Sequence, residues 1–215
     1  MKEVVLRLPG EESFFVQEAY KTLRTNLQFC GQDIRVIMFT SVRENEGKST
    51  ISLQAAKSLA EMGKSVLLVD ADLRKSVMAG RNASVKKPVG LSEVLTGMSS
   101  VGECLYESQY PGLRILFSGK YPPNPVELLG SKYFAKLIME ARKVYDYIII
   151  DTPPLGRVID AAVIAPVCDG AVLVVGNNVR AGEAANVVGQ LEKADCKILG
   201  AVRNCARVKH TAAYQ

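Results

Sequence analysis

A short segment in the first quarter of the chain contains the residue types that a phosphate-binding loop requires. Gly47, Lys48, Ser49 and Thr50 are consecutive there. Such a loop needs backbone N–H groups facing the phosphates, a lysine for the β- and γ-phosphates, and a hydroxyl that binds magnesium. Gly47 lets the backbone approach the phosphates, Lys48 supplies the cation and Ser49 the hydroxyl. The segment therefore predicts a site for ATP with Mg2+.

The residues just before this segment differ from the commonest form of such a loop. Val42 stands where the general pattern has a glycine, and Asn45 stands where related loops often have one. Asparagine tolerates the left-handed backbone conformation better than most residues. A chance Gly-Lys-Ser-Thr at a helix start is the alternative, which these residues alone leave open. We predict that Asn45 and Glu46 bind the nucleotide together with residues 47–50.

Three aspartates follow segments that read as strands. Asp70 and Asp72 come after the apolar run 65–69, and Asp151 comes after residues 147–150. The carboxyl ends of parallel strands line one crevice, where ligands bind. Buried carboxylates need partners, and a magnesium ion on ATP is a natural one. Any single aspartate could instead cap a helix or form a turn, but this reading is weak for three of them beside a phosphate loop.

Strand-like and helix-like segments alternate along the chain. Strands are predicted at 35–40, 65–70, 114–117, 147–151, 171–175 and 198–202. Helices are predicted at 13–29, 48–62, 91–95, 133–144, 158–166 and 181–194. The alternation predicts an α/β fold in three layers, a doubly wound and mostly parallel sheet of the P-loop NTPase type.

The same pattern divides the chain into three regions. Residues 1–12 are predicted to be an exposed N-terminal lead-in, 13–205 the P-loop domain, and 206–215 a mobile C-terminal tail. Residues 77–113 are the least regular part of the domain, and 122–125 (PPNP) are predicted to be a rigid extended connection.

Composition excludes several classes of function. The net charge of +5 is spread along the chain, so a nucleic-acid partner is not expected. The five cysteines include no CxxC pair, which argues against a zinc site or a disulfide framework. The single histidine, His210, lies in the tail and cannot build a metal site or a triad. No apolar signal core or run of ~18 apolar residues is present, so we expect a cytoplasmic protein that a partner brings to the membrane.

Three segments together resemble the ATP-binding motifs of bacterial tyrosine kinases, the P-loop kinases that govern capsule and exopolysaccharide synthesis. They are 40–50 (TSVRENEGKST), 66–75 (VLLVDADLRK) and 147–154 (YIIIDTPP). Two further segments are similar to other regions of that family, namely 18–29 (EAYKTLRTNLQF) and 112–134 (GLRILFSGKYPPNPVELLGSKYF). The resemblance covers most of the chain, from about residue 18 to residue 204.

The resemblance implies transfer of the ATP γ-phosphoryl group to tyrosine, on another copy of the chain or on other proteins. Lys48 would bind the phosphates and take part in catalysis. Ser49, Asp72 and Asp151 would hold Mg2+, directly or through water. Asp70 would be the base that takes the proton of the substrate hydroxyl, with Asp72 assisting at the metal.

Other positions carry weaker implications of the same resemblance. Asn204 follows the last strand, where relatives contact adenine. Family members end in a tyrosine cluster that they autophosphorylate, whereas this tail offers Tyr214 alone, and a solvated tail residue is an equal reading. The oligomerising helix of the family has a Glu-x-x-Arg-x-x-Arg pattern, and this chain has Glu18, Lys21 and Arg24. Lysine keeps the charge but loses the bidentate fork of arginine.

The resemblance also implies partners. They are a transmembrane activator of polysaccharide export, a cognate protein-tyrosine phosphatase, polysaccharide-assembly enzymes as substrates, and further copies of the chain in a homo-oligomer. The activator would recruit the kinase to the inner face of the membrane.

Two other functions remain open on the sequence. The first is an ATPase switch like the septum-placing and plasmid-partitioning ATPases, which share the second aspartate motif. Those proteins have a signature lysine where this chain has Arg43, and glycines where it has Glu44 and Asn45. The second is a non-catalytic nucleotide-binding adaptor, which would require a damaged site, although every expected carboxylate is present.

Overall fold

The computed structural model describes residues 2–8 and 14–205. In this part of the chain the strands are β1 (Lys2–Val4), β2 (Val36–Ser41), β3 (Val66–Asp70), β4 (Leu105–Ser108), β5 (Leu113–Leu116), β6 (Tyr147–Asp151), β7 (Gly170–Val175) and β8 (Ile198–Arg203). The helices are α1 (Phe14–Phe29), α2 (Lys48–Ala60), α3 (Met78–Asn82), α4 (Leu91–Leu95), α5 (Val101–Cys104), α6 (Pro125–Leu129), α7 (Lys132–Ala141), α8 (Asp160–Ile164) and α9 (Ala181–Lys193), and α8 continues into a 3-10 turn (Ala165–Val167).

The described strands form one sheet in the order β1-β4-β5-β3-β6-β2-β7-β8. All neighbouring strands are parallel except the antiparallel pair β4 and β5. One apolar cluster packs α4, α7, α8 and α9 on one face of the sheet, and a second packs α1, α2 and α3 on the other. This arrangement confirms the predicted three-layer, doubly wound and mostly parallel sheet.

The central strands are buried on both faces, as helices on both sides of a parallel sheet require. Every residue of β2 and β3 is buried. Successive residues of β2 serve opposite faces, since Val36 and Met38 belong to one cluster while Ile37 and Phe39 belong to the other. Near-continuous apolar runs therefore specify these strands.

Strand register places the functional segments at one edge of the sheet. Asp70, the last residue of β3, is directly opposite Asp151, the last residue of β6. Asp151 in turn is opposite Phe39 of β2, the strand that leads into the phosphate loop and α2. The carboxylates and the loop therefore meet at the carboxyl ends of three adjacent strands.

The N-terminal residues correct one prediction. We expected 1–12 to be an exposed lead-in, but β1 pairs in parallel with Tyr106–Ser108 and forms the edge of the sheet. Val4 is only 2% exposed and Leu6 only 4%. A three-residue strand is too short to produce a recognisable alternation of apolar residues, so its burial depends on contacts with distant parts of the chain.

Two other regions contain more regular structure than predicted. Residues 77–113 include α3, α5 and β4 besides the expected α4. The predicted extended connection at 122–125 ends in α6, which begins at Pro125, a favourable first helical position for proline. The tail 206–215, with His210 and Tyr214, lies outside the described residues. Among the helices that are described, none is long and apolar enough to cross a membrane.

Candidate nucleotide and phosphoryl-transfer site

The phosphate loop joins β2 to α2 and contains two left-handed residues. Asn45 has φ of 62° and Gly47 has φ of 82°. Asparagine thus adopts the conformation for which related loops use glycine, as the sequence predicted. At Gly47 a side chain would be strained, because φ is positive and a Cβ atom would lie 2.0 Å from Nδ2 of Asn204, which would have to move. That amide also donates a hydrogen bond to the Glu46 carbonyl at 2.8 Å, so Asn204 supports the back of the loop.

Glu46 fastens the loop with its carboxylate. Oε2 accepts hydrogen bonds from the backbone N–H groups of Val42 and Arg43, both at 2.9 Å. Oε1 accepts from the N–H of Gly176, beyond the end of β7, at 3.2 Å. With its carboxylate engaged in this way, Glu46 shapes the loop rather than offering a charge to the nucleotide.

Lys48 and Asp151 form a buried ion pair behind the loop. The Lys48 ammonium lies 2.7 Å from Asp151 Oδ1, and the two side chains are 7% and 1% exposed. Lys48 also donates to Ser49 Oγ at 3.3 Å. Asp151 Oδ2 is buried and has no hydrogen-bond partner within the described residues. A buried carboxylate oxygen without a donor is suited to a cation, directly or through water.

Asp70 lies beside this pair and is held partly protonated. Burial, and after it the neighbouring charge of Asp151, raise the pKa of Asp70 to about 7, although a hydrogen bond from Ser76 opposes the rise. The Ser76 hydroxyl donates to Asp70 Oδ2. At neutral pH the Asp70 carboxyl is therefore poised between its protonated and ionised forms, as a proton acceptor requires.

Asp72 is fixed by the turn that follows β3. Its Oδ1 accepts hydrogen bonds from the N–H groups of Arg74 at 3.2 Å and Lys75 at 2.9 Å. Its own N–H donates to Asp70 Oδ1 at 3.3 Å. The turn therefore sets the separation between the two carboxylates of the second motif.

A cavity of about 340 Å³ opens in front of these residues. Its walls come from the phosphate loop, from the segment that begins at Asp72, and from the segment after β6. The predicted residues Asn45–Thr50 and Asp72 line it, whereas Asp70, Asp151 and Asn204 lie behind the wall. The structure thus brings the predicted nucleotide, metal and catalytic residues to one place, in two layers.

The predicted oligomerisation residues lie elsewhere, on α1. Lys21 forms an exposed ion pair with Glu18 at 2.7 Å in the same helix. Arg24 donates from Nη1 to the Ser58 carbonyl of α2 at 3.1 Å. Tyr214, the candidate phosphate acceptor, lies outside the described residues.

Sequence reasoning missed three contributors to the site. Ser76 bonds to Asp70, and the Tyr121 hydroxyl donates to the Ser76 carbonyl at 3.0 Å. Asp160 is fully buried and accepts from Arg74 Nε. Serine six residues after an aspartate carries no recognisable signal, and an aspartate in the first turn of a helix is common.

Comparison with known proteins places this site in a family. The sequence model described as an AAA domain matches residues 34–187. The tyrosine-protein kinase CpsD of Streptococcus agalactiae is 43% identical over 189 residues, which cover 87% of this chain and 82% of CpsD.

Solved structures agree with the sequence comparison. The kinase domain of the Escherichia coli tyrosine kinase ETK superposes with a TM-score of 0.82 at 31% identity, covering 92% of this chain and 80% of that one. The chimerical protein CapA2B2 gives a TM-score of 0.83 at 30% identity, covering 91% and 86%.

The ATPase alternative has a lower similarity. The septum site-determining protein MinD of Pyrococcus horikoshii, complexed with Mg-ADP, gives a TM-score of 0.68 at 26% identity, covering 81% of this chain and 72% of that one. The sequence motifs, the sheet and the relatives agree, and the chain belongs to the family of bacterial tyrosine-protein kinases.

Proposed function

We propose that this chain is an ATP-dependent protein tyrosine kinase of capsule or exopolysaccharide biosynthesis. The observation that carries the proposal is the buried Lys48–Asp151 pair, whose unpartnered carboxylate oxygen and neighbouring Asp70 lie behind a cavity walled by the phosphate loop. Phosphoryl transfer depends mainly on positioning and charge neutralisation, and these are the groups that it requires.

The loop residues would hold the phosphates of ATP. Lys48 would exchange Asp151 for the β- and γ-phosphates, and the backbone N–H groups of 45–50 would surround them. Ser49, Asp72 and Asp151 supply oxygen ligands suited to Mg2+. When bound, that ion neutralises charge on the phosphates. Asn204, behind Gly47, would lie on the adenine side of the loop.

Asp70 would accept the proton of the tyrosine hydroxyl. The bond between the γ-phosphorus and its bridging oxygen breaks, a bond to the phenolic oxygen forms, ADP leaves, and the proton passes to the carboxylate. A pKa of about 7 for Asp70 makes it a better proton acceptor than an ordinary carboxylate. Since Asp70 is fully buried, the turn carrying Asp72 and Ser76 must move when the acceptor binds.

Membership of the family supports the proposed partners. A transmembrane activator of polysaccharide export would recruit the cytoplasmic chain to the inner face of the membrane and stimulate it. A cognate phosphatase would reverse the modification, and assembly enzymes would be substrates besides Tyr214 of another copy. Glu18, Lys21 and Arg24 on α1 would contact neighbouring subunits of a homo-oligomer.

No observation favours the ATPase switch. The position of its signature lysine is occupied by Arg43, whose guanidinium is engaged with both oxygens of Glu183 in the same chain, at 2.6 and 2.7 Å. Arg43 therefore ties the loop to α9.

The test is to incubate the full chain with γ-labelled ATP, Mg2+ and its membrane activator, and to measure phosphotyrosine and free phosphate separately. We expect labelled tyrosine, reduced at least about a hundredfold by Asp151→Asn or Lys48→Met. Glu140→Gln, on the exposed face of α7, is the control. Release of free phosphate without labelled protein would overturn the proposal.

A further inference from the structure

Asp160 is a buried carboxylate to which the proposed mechanism gives no role. It is 0% exposed at the first residue of α8, near the wall of the cavity. Both of its oxygens accept from Arg74 Nε, at 2.9 and 3.1 Å. Burying a carboxylate is costly unless it is paired, and such a pair is weak evidence of added stability. The position of its partner, Arg74, therefore says more about the role of Asp160 than the stability of the pair does.

Arg74 is held at two points and lines the cavity. Its backbone N–H donates to Asp72 Oδ1 at 3.2 Å, and its Nε is held by Asp160. The side chain is 40% exposed and shares the cavity wall with Lys48 and Asp72. The two amino groups of the guanidinium make no hydrogen bond with residues that the structure describes. They are the donors that Arg74 has available for a ligand.

Two other cations at the cavity, Lys75 and Arg43, have partners that are not buried. Lys75 pairs with Glu44 at 3.2 Å, and these side chains are 76% and 52% exposed. Arg43 is engaged with Glu183, which is itself 38% exposed. Exposed pairs are weak and orient their partners poorly. Arg74 is the cavity arginine whose described partner is fully buried, so its guanidinium is oriented in advance of ligand binding.

We propose that Arg74 donates from its amino groups to the transferred phosphoryl group in the transition state, and that Asp160 is the positioning residue that orients it. The inference rests on the proposed kinase function and deepens it. As the bond to the bridging oxygen of ADP breaks and the bond to the tyrosine oxygen forms, charge is spread over the three equatorial oxygens. A planar guanidinium matches two of these oxygens, whereas an ammonium acts as a single point of charge.

The test compares binding of a ground-state ligand with binding of a transition-state mimic. The full chain is titrated with ADP alone and with ADP plus aluminium fluoride, both with Mg2+, and affinity is followed by calorimetry. We expect Arg74→Ala to weaken binding of the aluminium fluoride complex about a hundredfold and that of ADP less than about threefold. Arg74→Lys should recover little of the loss, because lysine lacks the planar fork.

Variants at Asp160 separate positioning from folding. Asp160→Asn should weaken binding of the aluminium fluoride complex about tenfold, and the double variant with Arg74→Ala should be no weaker than Arg74→Ala alone. Thermal unfolding reports whether each variant is folded, and Arg74→Ala and Arg74→Lys keep the test decisive if Asp160→Asn unfolds. Arg114→Gln, which removes an arginine paired with Glu107 outside the cavity, is the matched control.

Two results would overturn the inference. One is equal loss of affinity for ADP and for the aluminium fluoride complex in Arg74→Ala, which would make Arg74 a ground-state binding residue. The other is unchanged affinity for both. Failure of the proposed function looks different, because the unaltered chain would then bind the complex and release phosphate but form no phosphotyrosine.

Discussion

At the scale of single residues, the site depends on two carboxylates that end neighbouring strands. Asp70 and Asp151 are directly opposite each other in the register of β3 and β6. Lys48 lies 2.7 Å from Asp151, whereas no ion pair is found for Asp70 among the described residues, and burial together with the charge of Asp151 raises the pKa of Asp70. Under the proposed function, Asp151 is therefore the charged metal ligand and Asp70 is the proton acceptor.

The raised pKa of Asp70 predicts how stability depends on pH. Because the folded-state pKa of about 7 lies above the ordinary aspartate pKa of 3.8, the native state keeps a proton that the unfolded chain has lost. The contribution to stability is fully present below pH 3.8 and is lost as pH rises towards 7. Asp70→Asn removes this dependence. The melting temperature of the variant, relative to that of the unaltered chain, should therefore increase between pH 5 and pH 8.

This measurement is made in EDTA and without nucleotide, so that no bound cation changes the titration. Asp146→Asn is the comparison, because hydrogen bonds from Ser65 lower the pKa of Asp146 and its stabilising effect is present at neutral pH. Parallel pH profiles for Asp70→Asn and the unaltered chain would contradict the prediction.

At the scale of elements, the phosphate loop obtains its shape from a side chain as well as from glycine. The Glu46 carboxylate receives three backbone N–H groups and connects the loop to the end of β7. This fastening accounts for a loop with Val42 and Asn45 at positions where glycine is common. The loop is therefore held in one conformation by contacts within the chain.

Replacing Glu46 with glutamine should loosen that loop. One carboxylate oxygen becomes an amide NH2, which cannot accept, so at least one buried N–H loses its partner at a cost of about 1–3 kcal/mol. We expect Glu46→Gln to lower unfolding free energy by about that amount and to weaken ATP binding, as measured by denaturant titration and calorimetry. Glu61→Gln at the end of α2, half exposed, is the control. Unchanged affinity would show that Glu46 does not shape the loop.

Sequence patterns identified the elements that carry the site but not those that support it. Continuous apolar runs predicted β2, β3 and β6, and the residue types of 47–50 predicted the start of α2. A left-handed Asn45 was compatible with the sequence, because asparagine tolerates that conformation better than most residues do. The contacts of Glu46 and Asp160 could not be predicted, since their partners are distant in sequence. Four-residue elements such as α5 and β4 are too short for periodicity to show.

At the scale of the whole molecule, one sheet edge is completed by the first residues of the chain. Leu6 is buried in the cluster beneath α1 and α2, and its backbone exchanges two hydrogen bonds with the Gln109 side chain, both at 2.8 Å. Neither residue lines the cavity, and this segment contacts the cavity wall only through the backbone of Arg7, which bonds to Asn82 among the described residues. Stability and binding should therefore be separable there.

Leu6→Ala should destabilise the fold without changing the site. Removing a buried leucine side chain costs about 2–4 kcal/mol of unfolding free energy. Val5→Ala, at a neighbouring residue that is 56% exposed, should change it by less than about 0.5 kcal/mol. ATP affinity under native conditions should be the same in both variants. Equal stability of the two variants would show that the Leu6 side chain does not contribute to the core.

The Lys48–Asp151 pair has a consequence for how ligands enter. Each partner neutralises the other, so an arriving anion that takes the ammonium leaves the aspartate without compensation, and an arriving cation that takes the aspartate leaves the ammonium. When one ligand binds alone, its binding free energy is reduced by the cost of separating Lys48 from Asp151. When both ligands bind, each of the two side chains again has an opposite charge beside it. Nucleotide and divalent ion should thus strengthen each other's binding by the same factor, and the resting protein discriminates against stray anions and metals that come singly.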